Sequence, residues 1–120
     1  MTEGGSIINI SSETSRRAQA KNGPYAAAKA AINSLTATFS VELAPNIRVN
    51  AIAPGPVLTP NFIESVGYEG ERKAAIDQHM QIPLGRIGNG RDIGAASVFL
   101  SSPAASWLTG QVLFVNGGRA

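Results

Sequence analysis

The fold is decided by the stretch Gly4-Gly5-Ser6-Ile7-Ile8-Asn9-Ile10-Ser11-Ser12, an apolar run that glycines open and hydroxyls close. Such a short run predicts a buried strand of a parallel sheet over residues 6–12, with Ser12 at its carboxyl end. Ligands of open α/β sheets bind at the carboxyl ends of the strands. Ser12 is therefore a candidate site residue.

Two later segments have the same apolar character. Residues 47–53 lead into the turn Pro54-Gly55-Pro56, and residues 111–115 lead into Asn116-Gly117-Gly118. Helical patterns separate the three segments, and such alternation implies right-handed crossovers between parallel strands. The predicted fold class is α/β, with a parallel three-stranded sheet and helices on both of its faces.

The first helical segment has Pro24 suited to its first turn and Pro45 beyond its end. Four apolar residues recur along it at helical spacing and predict an apolar stripe, namely Ile32, Leu35, Phe39 and Leu43. A longer connection follows the second strand, at about residues 60–84, with a short helix predicted around 71–80. A connection of this length is usually functional or mobile. Its candidate wall residues, with ordinary packing as an equal alternative, are Phe62, Val66, Ile76 and Met80.

Tyr25 and Lys29 form the most informative pair of side chains. They stand four residues apart, so that on a helix the phenol and the ammonium project from one face. A fixed cation beside a phenol favours the phenolate, which a tyrosine needs in order to exchange protons near neutral pH. Many helices carry this spacing by chance, and a solvated helix surface is the alternative. The position of the pair after a strand that ends in Ser12 favours acid/base chemistry.

Composition excludes several classes of function. The 120 residues are 43% hydrophobic and 15% charged, which is typical of a compact domain with a core. A net charge of +2 with scattered basic residues argues against nucleic-acid binding. Cysteine is absent and His79 is the sole histidine, so we expect no disulfide and no metal site. Without a long apolar run or a signal-peptide pattern, we expect a cytoplasmic protein with no membrane partner.

Five ordered motifs resemble those of the classical branch of the short-chain dehydrogenase/reductase family. They are Ser12, then Tyr25, Lys29, the turn Pro54-Gly55-x-Val57-x-Thr59, and the closing Thr109-Gly110-Gln111 with Val115-Asn116-Gly117-Gly118. The resemblance extends over essentially the whole sequence. One departure is Asn116, where the family commonly has aspartate, and it concerns a turn and not the chemistry.

The resemblance implies an oxidoreductase that interconverts an alcohol and a carbonyl of a small molecule, with NAD or NADP as cofactor. Its catalytic residues would be Ser12, which holds the substrate oxygen, Tyr25, which exchanges the proton, and Lys29, which supports Tyr25 and binds the nicotinamide ribose. The positions that correspond to cofactor-binding residues are Tyr25, Lys29, Pro54, Gly55, Val57 and Thr59.

The resemblance covers only the carboxyl-terminal half of the family's Rossmann-like, doubly wound sheet. The glycine-rich turn that receives the pyrophosphate has no counterpart, because Gly88-Asn89-Gly90-Arg91-Asp92-Ile93-Gly94 follows no strand and is interpreted as a loop before a helix. We therefore expect residues 1–120 to form one partial domain, with a substrate lid at about 60–84 and without the amino-terminal dinucleotide-binding half. Weak cofactor binding by the isolated chain and a homo-oligomer are expected. The alternative is a non-catalytic remnant or an oligomerisation module of the same fold.

Overall fold

The computed structural model describes residues 4–119, in which strands and helices alternate. In chain order the elements are β1 (Gly5–Ile10), α1 (Gly23–Leu43), β2 (Ile47–Pro54), α2 (Pro60–Val66), α3 (Gly70–Met80), α4 (Gly90–Ser101) and β3 (Val112–Val115). Single turns of 3₁₀ helix occur at Glu13–Ser15 and Pro103–Ala105. No helix in the described range is both long and apolar enough to cross a membrane.

The three strands form one sheet in the order β1-β2-β3, and both pairings are parallel. The register aligns Ile10 with Ile52 and Pro54 with Val115. The predicted fold class, a parallel α/β half-sheet, is confirmed. Because all strands run in one direction, their carboxyl ends meet at a single edge of the sheet.

Helices α1 and α4 cover opposite faces of the sheet. Successive residues of a strand point to opposite faces, and here Asn9 donates a hydrogen bond to Thr36 of α1 while Ile8 packs on the core beside Leu100 of α4. That core consists of Ile52, Leu100 and Ala105, with five partly buried residues around them: Ile8, Ile93, Ala96, Leu108 and Val115. The face under α1 therefore includes a polar contact, and the face under α4 carries an apolar cluster, to which Ser6 and Arg48 add hydrogen bonds to the Leu100 carbonyl.

The apolar stripe predicted on α1 does not cover the sheet. The buried residues of this helix are instead Thr36 and Ser40, while Leu35 is 49% and Phe39 40% exposed. Thr36 is small enough to bring the helix close to the strands, and its hydroxyl accepts the hydrogen bond from Asn9 at 3.1 Å. Leu35 and Phe39 consequently lie on the neighbouring side of the helix, next to the outer edge of β1.

The first strand ends two residues earlier than its apolar run predicts. β1 stops at Ile10, and Ser12 instead caps the 3₁₀ turn that follows. Its Oγ accepts hydrogen bonds from the backbone N–H of Thr14 at 3.2 Å and from the Thr14 hydroxyl at 3.0 Å. The local serine–threonine contact turns the backbone away from the ladder, which is a common effect of hydroxyl side chains at such positions.

Asn50 joins β2 to the segment that precedes β3. Its side chain is fully buried, donates from Nδ2 to the Leu108 carbonyl at 2.9 Å and accepts from the Gln111 N–H at 3.0 Å. Both hydrogen-bonding functions of the amide are used. Buried polar groups of this kind stabilise a fold only while each function has its partner.

We expect Asn50→Asp to lower the free energy of unfolding by roughly 2–4 kcal/mol, because the nearly isosteric carboxylate keeps the acceptor but faces the Leu108 carbonyl without a donor. Urea unfolding followed by circular dichroism measures the change. The exposed Asn46→Asp serves as the matched control and should shift the midpoint little. Equal midpoints for the two variants would contradict this role of Asn50.

Candidate active site

Ser12 lies just past the carboxyl end of β1, where the 3₁₀ turn fixes its side chain. The two hydrogen bonds that its Oγ accepts from Thr14 restrain the hydroxyl oxygen. A hydroxyl has one donor hydrogen in addition to its acceptor lone pairs. The O–H of Ser12 is thus available to donate to a ligand oxygen while Thr14 holds its position.

Lys29 projects from the first turns of α1 toward the same strand end, and the Tyr25 ring lies beside it. The Lys29 Nζ donates to the carbonyl of Ile10, the last residue of β1, at 3.3 Å, and it lies 5.5 Å from the centroid of the Tyr25 ring. Tyr25 itself is 48% exposed. No direct hydrogen bond joins it to Ser12 within residues 4–119. The cation, the phenol and the end of β1 form one open cluster on the surface of the described chain.

Two hydrogen bonds that the sequence did not reveal attach α1 to the segment around Ser12. Ser11 donates from Oγ to the carbonyl of Lys29 at 3.2 Å, and Asn33 donates from Nδ2 to the Ser15 hydroxyl at 2.8 Å. Both contacts involve residues 18 positions apart. In the sequence, the only indication of these two contacts is that Lys29 and Asn33 stand one helical turn apart. These bonds set the distance between α1 and the Ser12 turn.

Pro54 and Gly55 reach the same edge of the sheet from β2. Pro54 is the last residue of that strand, and the N–H of Gly55 donates to the Val115 carbonyl at 3.0 Å. A Cβ at Gly55 would lie 2.6 Å from the Cβ of Asn116 and 3.1 Å from Oε1 of Glu13. Glycine is required here because the backbone passes between the residue that follows Ser12 and the turn after β3.

Val57 and Thr59 lie just before the segment predicted as a lid, residues 60–84. Val57 forms an isolated parallel bridge with Gly88, through bonds from Leu58 N–H to the Gly88 carbonyl at 2.8 Å and from Gly88 N–H to the Pro56 carbonyl at 3.0 Å. Thr59 caps α2, and its Oγ1 accepts from the N–H of Phe62 at 3.1 Å. Its O–H remains a possible donor.

The lid segment contains two helices, of which α3 matches the short helix predicted around 71–80. A groove of about 510 Å³ runs between α2 and α3, and its lining includes Val66, Ile76 and Met80, three of the four predicted wall residues. Phe62, the fourth, instead packs on Tyr68 with ring centroids 6.3 Å apart. None of Ser12, Tyr25 and Lys29 lines this groove.

An exposed ion pair joins the start of α4 to the residues that follow the segment predicted as a lid. Arg86 donates from both terminal nitrogens to the Asp92 carboxylate, each at 2.8 Å, and Asn89 completes a capping box with Asp92. The hydrogen bonds from Arg86, followed by that from the Asn89 N–H, hold the pKa of Asp92 far below its usual range. The interpretation of residues 88–94 as a loop that leads into a helix is confirmed. These residues cap α4 and do not form a dinucleotide-binding turn.

The chain is similar in sequence to known dehydrogenases. A family profile described as Enoyl-(Acyl carrier protein) reductase matches residues 1–120. An uncharacterized oxidoreductase of Mycobacterium tuberculosis is 47% identical over 115 residues, which are 96% of this chain and 43% of that protein. The 7alpha-hydroxysteroid dehydrogenase of Escherichia coli is 41% identical over 116 residues, 96% of this chain and 44% of that protein. The chain therefore spans less than half the length of these relatives.

Solved structures agree with the sequence relatives. A short-chain dehydrogenase/reductase of Brucella melitensis, described as a glucose/ribitol dehydrogenase, aligns with a TM-score of 0.85 and 39% identity over 100% of this chain and 47% of that one. A 7 alpha-hydroxysteroid dehydrogenase complexed with NADH and 7-oxo glycochenodeoxycholic acid aligns with a TM-score of 0.84 and 39% identity. The alignment covers 97% of this chain and 44% of that one. The chain belongs to the short-chain dehydrogenase/reductase family. The resemblance stated from the motifs is confirmed.

The segment predicted as a lid contains a tyrosine whose ionisation depends on the contact between its ring hydroxyl and α3. Tyr68 donates from its hydroxyl to Asp77 of α3, and this hydrogen bond, with smaller contributions from desolvation and the carboxylate charge, raises the pKa of Tyr68 to about 12. The contact with Asp77 in the folded chain thus favours the protonated phenol. Its stabilising contribution is complete below the ordinary tyrosine pKa of about 10 and is lost as the pH rises through about 12.

We expect tyrosinate absorbance to show a component with a midpoint near pH 12 that Tyr68→Phe removes. Asp77→Asn should move that component down toward about 10, because the neutral amide no longer favours the protonated phenol. Asp92→Asn, which alters the other acidic contact of this region, is the control and should leave the midpoint in place. A titration of Asp77→Asn identical to that of the unsubstituted chain would contradict the assignment.

Proposed function

We propose that this chain is the catalytic half of an NAD- or NADP-dependent oxidoreductase that interconverts an alcohol and a carbonyl, using Ser12, Tyr25 and Lys29. The observation that carries the proposal is the contact of the Lys29 ammonium with the Ile10 carbonyl, 3.3 Å away, because it brings the cation beside the Tyr25 ring and to the strand end that precedes Ser12. The dehydrogenase names of the relatives support the reaction class. A cytoplasmic location and a homo-oligomer belong to the same proposal.

Each of the three side chains has a distinct task in this mechanism. Tyr25 donates its phenolic proton to the carbonyl oxygen of the substrate, or accepts the proton of the alcohol in the reverse direction. Ser12, restrained by Thr14, donates a hydrogen bond to the same oxygen and stabilises the negative charge that develops there. Lys29 places a positive charge next to the phenol and favours its anionic form after proton transfer.

The residues at this edge suit a nicotinamide cofactor, which supplies or accepts the hydride. An ammonium has three donors, and Lys29 uses one of them on Ile10, which leaves donors for ribose hydroxyls. Thr59 keeps its hydroxyl hydrogen for a carboxamide, and Val57 would contribute its backbone N–H. The Pro54-Gly55 turn would offer bare backbone to the ring. Tyr25 would contact the ribose together with Lys29.

An association module is the second candidate function, and the outer side of β1 favours it. Within the described residues β1 pairs only with β2, which leaves its other edge open. Ile10 is 48% exposed there, beside an apolar groove of about 190 Å³ whose lining is Asn9, Ile10, Ile32, Leu35 and Phe39. Unpaired strand edges and exposed apolar patches promote association.

The catalytic assignment is tested in a complete enzyme, made by joining this chain to the amino-terminal half of the Escherichia coli 7alpha-hydroxysteroid dehydrogenase. Tyr25→Phe removes the transferable proton and keeps the ring, so we expect turnover to fall about 10²- to 10⁴-fold with little change in thermal stability. Lys29→Met should cost nearly as much.

A second tyrosine–lysine pair in the lid provides matched controls for these variants. Lys73 lies 5.7 Å from the Tyr68 ring, much as Lys29 lies 5.5 Å from Tyr25. Tyr68→Phe and Lys73→Met should leave turnover within about threefold of the unsubstituted enzyme, because neither residue exchanges a proton with the substrate. Near-normal turnover in Tyr25→Phe would contradict the assignment of Tyr25 as the residue that exchanges a proton with the substrate.

For the isolated chain we expect association and no saturable binding of NAD(P)H. The sequence has no glycine-rich turn for the pyrophosphate, and the open side of β1 exposes apolar groups. Size-exclusion chromatography and titration calorimetry measure the two properties. Leu35→Glu with Phe39→Glu should shift the chain toward the monomer, whereas Glu substitution at the exposed Val41 is the control. A stable monomer that binds the cofactor would refute this expectation.

A further inference from the structure

Glu13 is a buried carboxylate directly after Ser12. It begins the 3₁₀ turn that Ser12 caps, and it is only 6% exposed. A buried carboxylate is costly unless a cation and hydrogen bonds compensate for its lost hydration. The compensating partner is Arg119, whose Nη1 donates to Oε2 of Glu13 although 106 positions separate the two residues. The arginine side chain is also largely buried, at 14% exposure.

Asn116 holds the backbone of Arg119 in place. Its Nδ2 donates to the Arg119 carbonyl, and its Oδ1 accepts from the N–H of Gly118 at 3.2 Å. An aspartate at this position could accept from Gly118 but could not donate to Arg119. The asparagine therefore forms a contact that the aspartate common in the family cannot form.

The ion pair lies where the proposed catalytic and cofactor turns meet. Oε1 of Glu13 is 3.1 Å from the place of a Cβ on Gly55, so the carboxylate separates the Ser12 turn from the Pro54-Gly55 turn. A second contact joins the same parts of the chain, because the guanidinium of Arg16 lies 3.6 Å from the centroid of the Phe114 ring in β3. The turn after Ser12 is thus fastened at both of its ends to β3 and the residues that follow it.

We propose that Glu13 and Arg119 are positioning residues, which fix the Ser12 turn against the Pro54-Gly55 turn and neutralise the negative charge beside Ser12. Neither side chain touches the substrate in this proposal, which rests on the proposed function for its catalytic part. Ser12 is to stabilise negative charge on the substrate oxygen. A carboxylate without its cation on the next residue would oppose that stabilisation, at short range and in a poorly hydrated place.

Oε1 of Glu13 and Nε of Arg119 are buried and have no hydrogen-bond partner within the described part of the chain. An ion pair that served only stability would gain by satisfying these atoms, or by replacement with apolar side chains. The two unpartnered atoms therefore agree with a role of the ion pair in positioning the Ser12 turn. It also makes the pair sensitive to loss of either member, since the remaining charge would then be buried alone.

Amide hydrogen exchange of the full 120-residue chain tests the positioning directly. The reporters are the N–H groups of Ser15 and Arg16, which bond within the turn at 3.0 Å each, with Ile52 in the buried strand as reference. We expect Arg119→Met to lower the protection of the turn amides at least about tenfold and to leave Ile52 unchanged. Arg86→Met, which breaks the exposed ion pair with Asp92, is the matched control and should leave the turn amides unchanged.

Two milder variants keep the test decisive if Arg119→Met fails to fold. Arg119→Lys retains the charge and Asn116→Asp retains the arginine, so both should lower the protection of the turn amides by less than Arg119→Met would. Unchanged protection of Ser15 and Arg16 in these variants would overturn the proposal. A parallel loss at Ile52 would do the same, since it would show only general destabilisation.

Kinetics in the completed enzyme test the catalytic consequence. We expect Arg119→Met to lower kcat at least about tenfold, with the KM for the cofactor changed less than about threefold. Adding Glu13→Gln should recover part of kcat, because the double variant carries no bare carboxylate next to Ser12. An unchanged kcat, or no recovery in the double variant, would contradict charge neutralisation. An inactive unsubstituted enzyme would refute the proposed function instead. Hydrogen exchange would still decide whether the ion pair of Glu13 and Arg119 positions the Ser12 turn.

Discussion

Parallel pairing on both sides of β2 is the constraint on which the rest of the structure depends. Val49, Ala51, Ile52 and Ala53 have no solvent exposure, so their backbone groups must find partners in β1, in β3 and in residues 109–111 just before β3. With all three strands in one direction, the residues that leave them emerge together. Ser12, Gly55 and Asn116 are distant in sequence, and this shared strand direction brings them to the same edge of the sheet.

The two helices that cover the sheet are attached to it by different sets of contacts. Helix α4 packs on the strands through Ile93, Ala96 and Leu100, and apolar packing of this kind is non-directional. At its end, the Leu100 carbonyl also accepts hydrogen bonds from Ser6 of β1 and Arg48 of β2. Helix α1 is attached by hydrogen bonds from Asn9 to Thr36 and from Ser11 to the Lys29 carbonyl. Hydrogen bonds depend on distance and angle. They consequently fix the rotation of α1 about its axis, and with it the direction in which Tyr25 and Lys29 project.

Sequence patterns were sufficient for the elements of the fold and for the short-range part of the site. Apolar runs ended by serine, proline or Asn-Gly located the strands within a few residues, and the spacing of Tyr25 and Lys29 placed both on one helix face. The pattern failed where a small polar residue competed with a larger apolar one, as at Thr36 against Leu35 and Phe39, because periodicity does not register a hydrogen bond such as that from Asn9. It also missed the pairing of Glu13 with Arg119, since nothing local connects charges 106 positions apart.

The bridge between Val57 and Gly88 brings together the two ends of the segment that lies between these residues. Two backbone hydrogen bonds, at 2.8 and 3.0 Å, hold both ends of residues 58–87 to each other. Within the segment, the N–H of Leu84 donates to the Gly117 carbonyl at 3.0 Å and attaches it to the turn after β3. Closing a longer loop costs little, about 0.6 kcal/mol for each doubling of its length. Evolution could therefore change helices α2 and α3 in length or in sequence, as long as the bridge and the Leu84 contact are kept. Protein engineers could graft a foreign segment in place of the two helices.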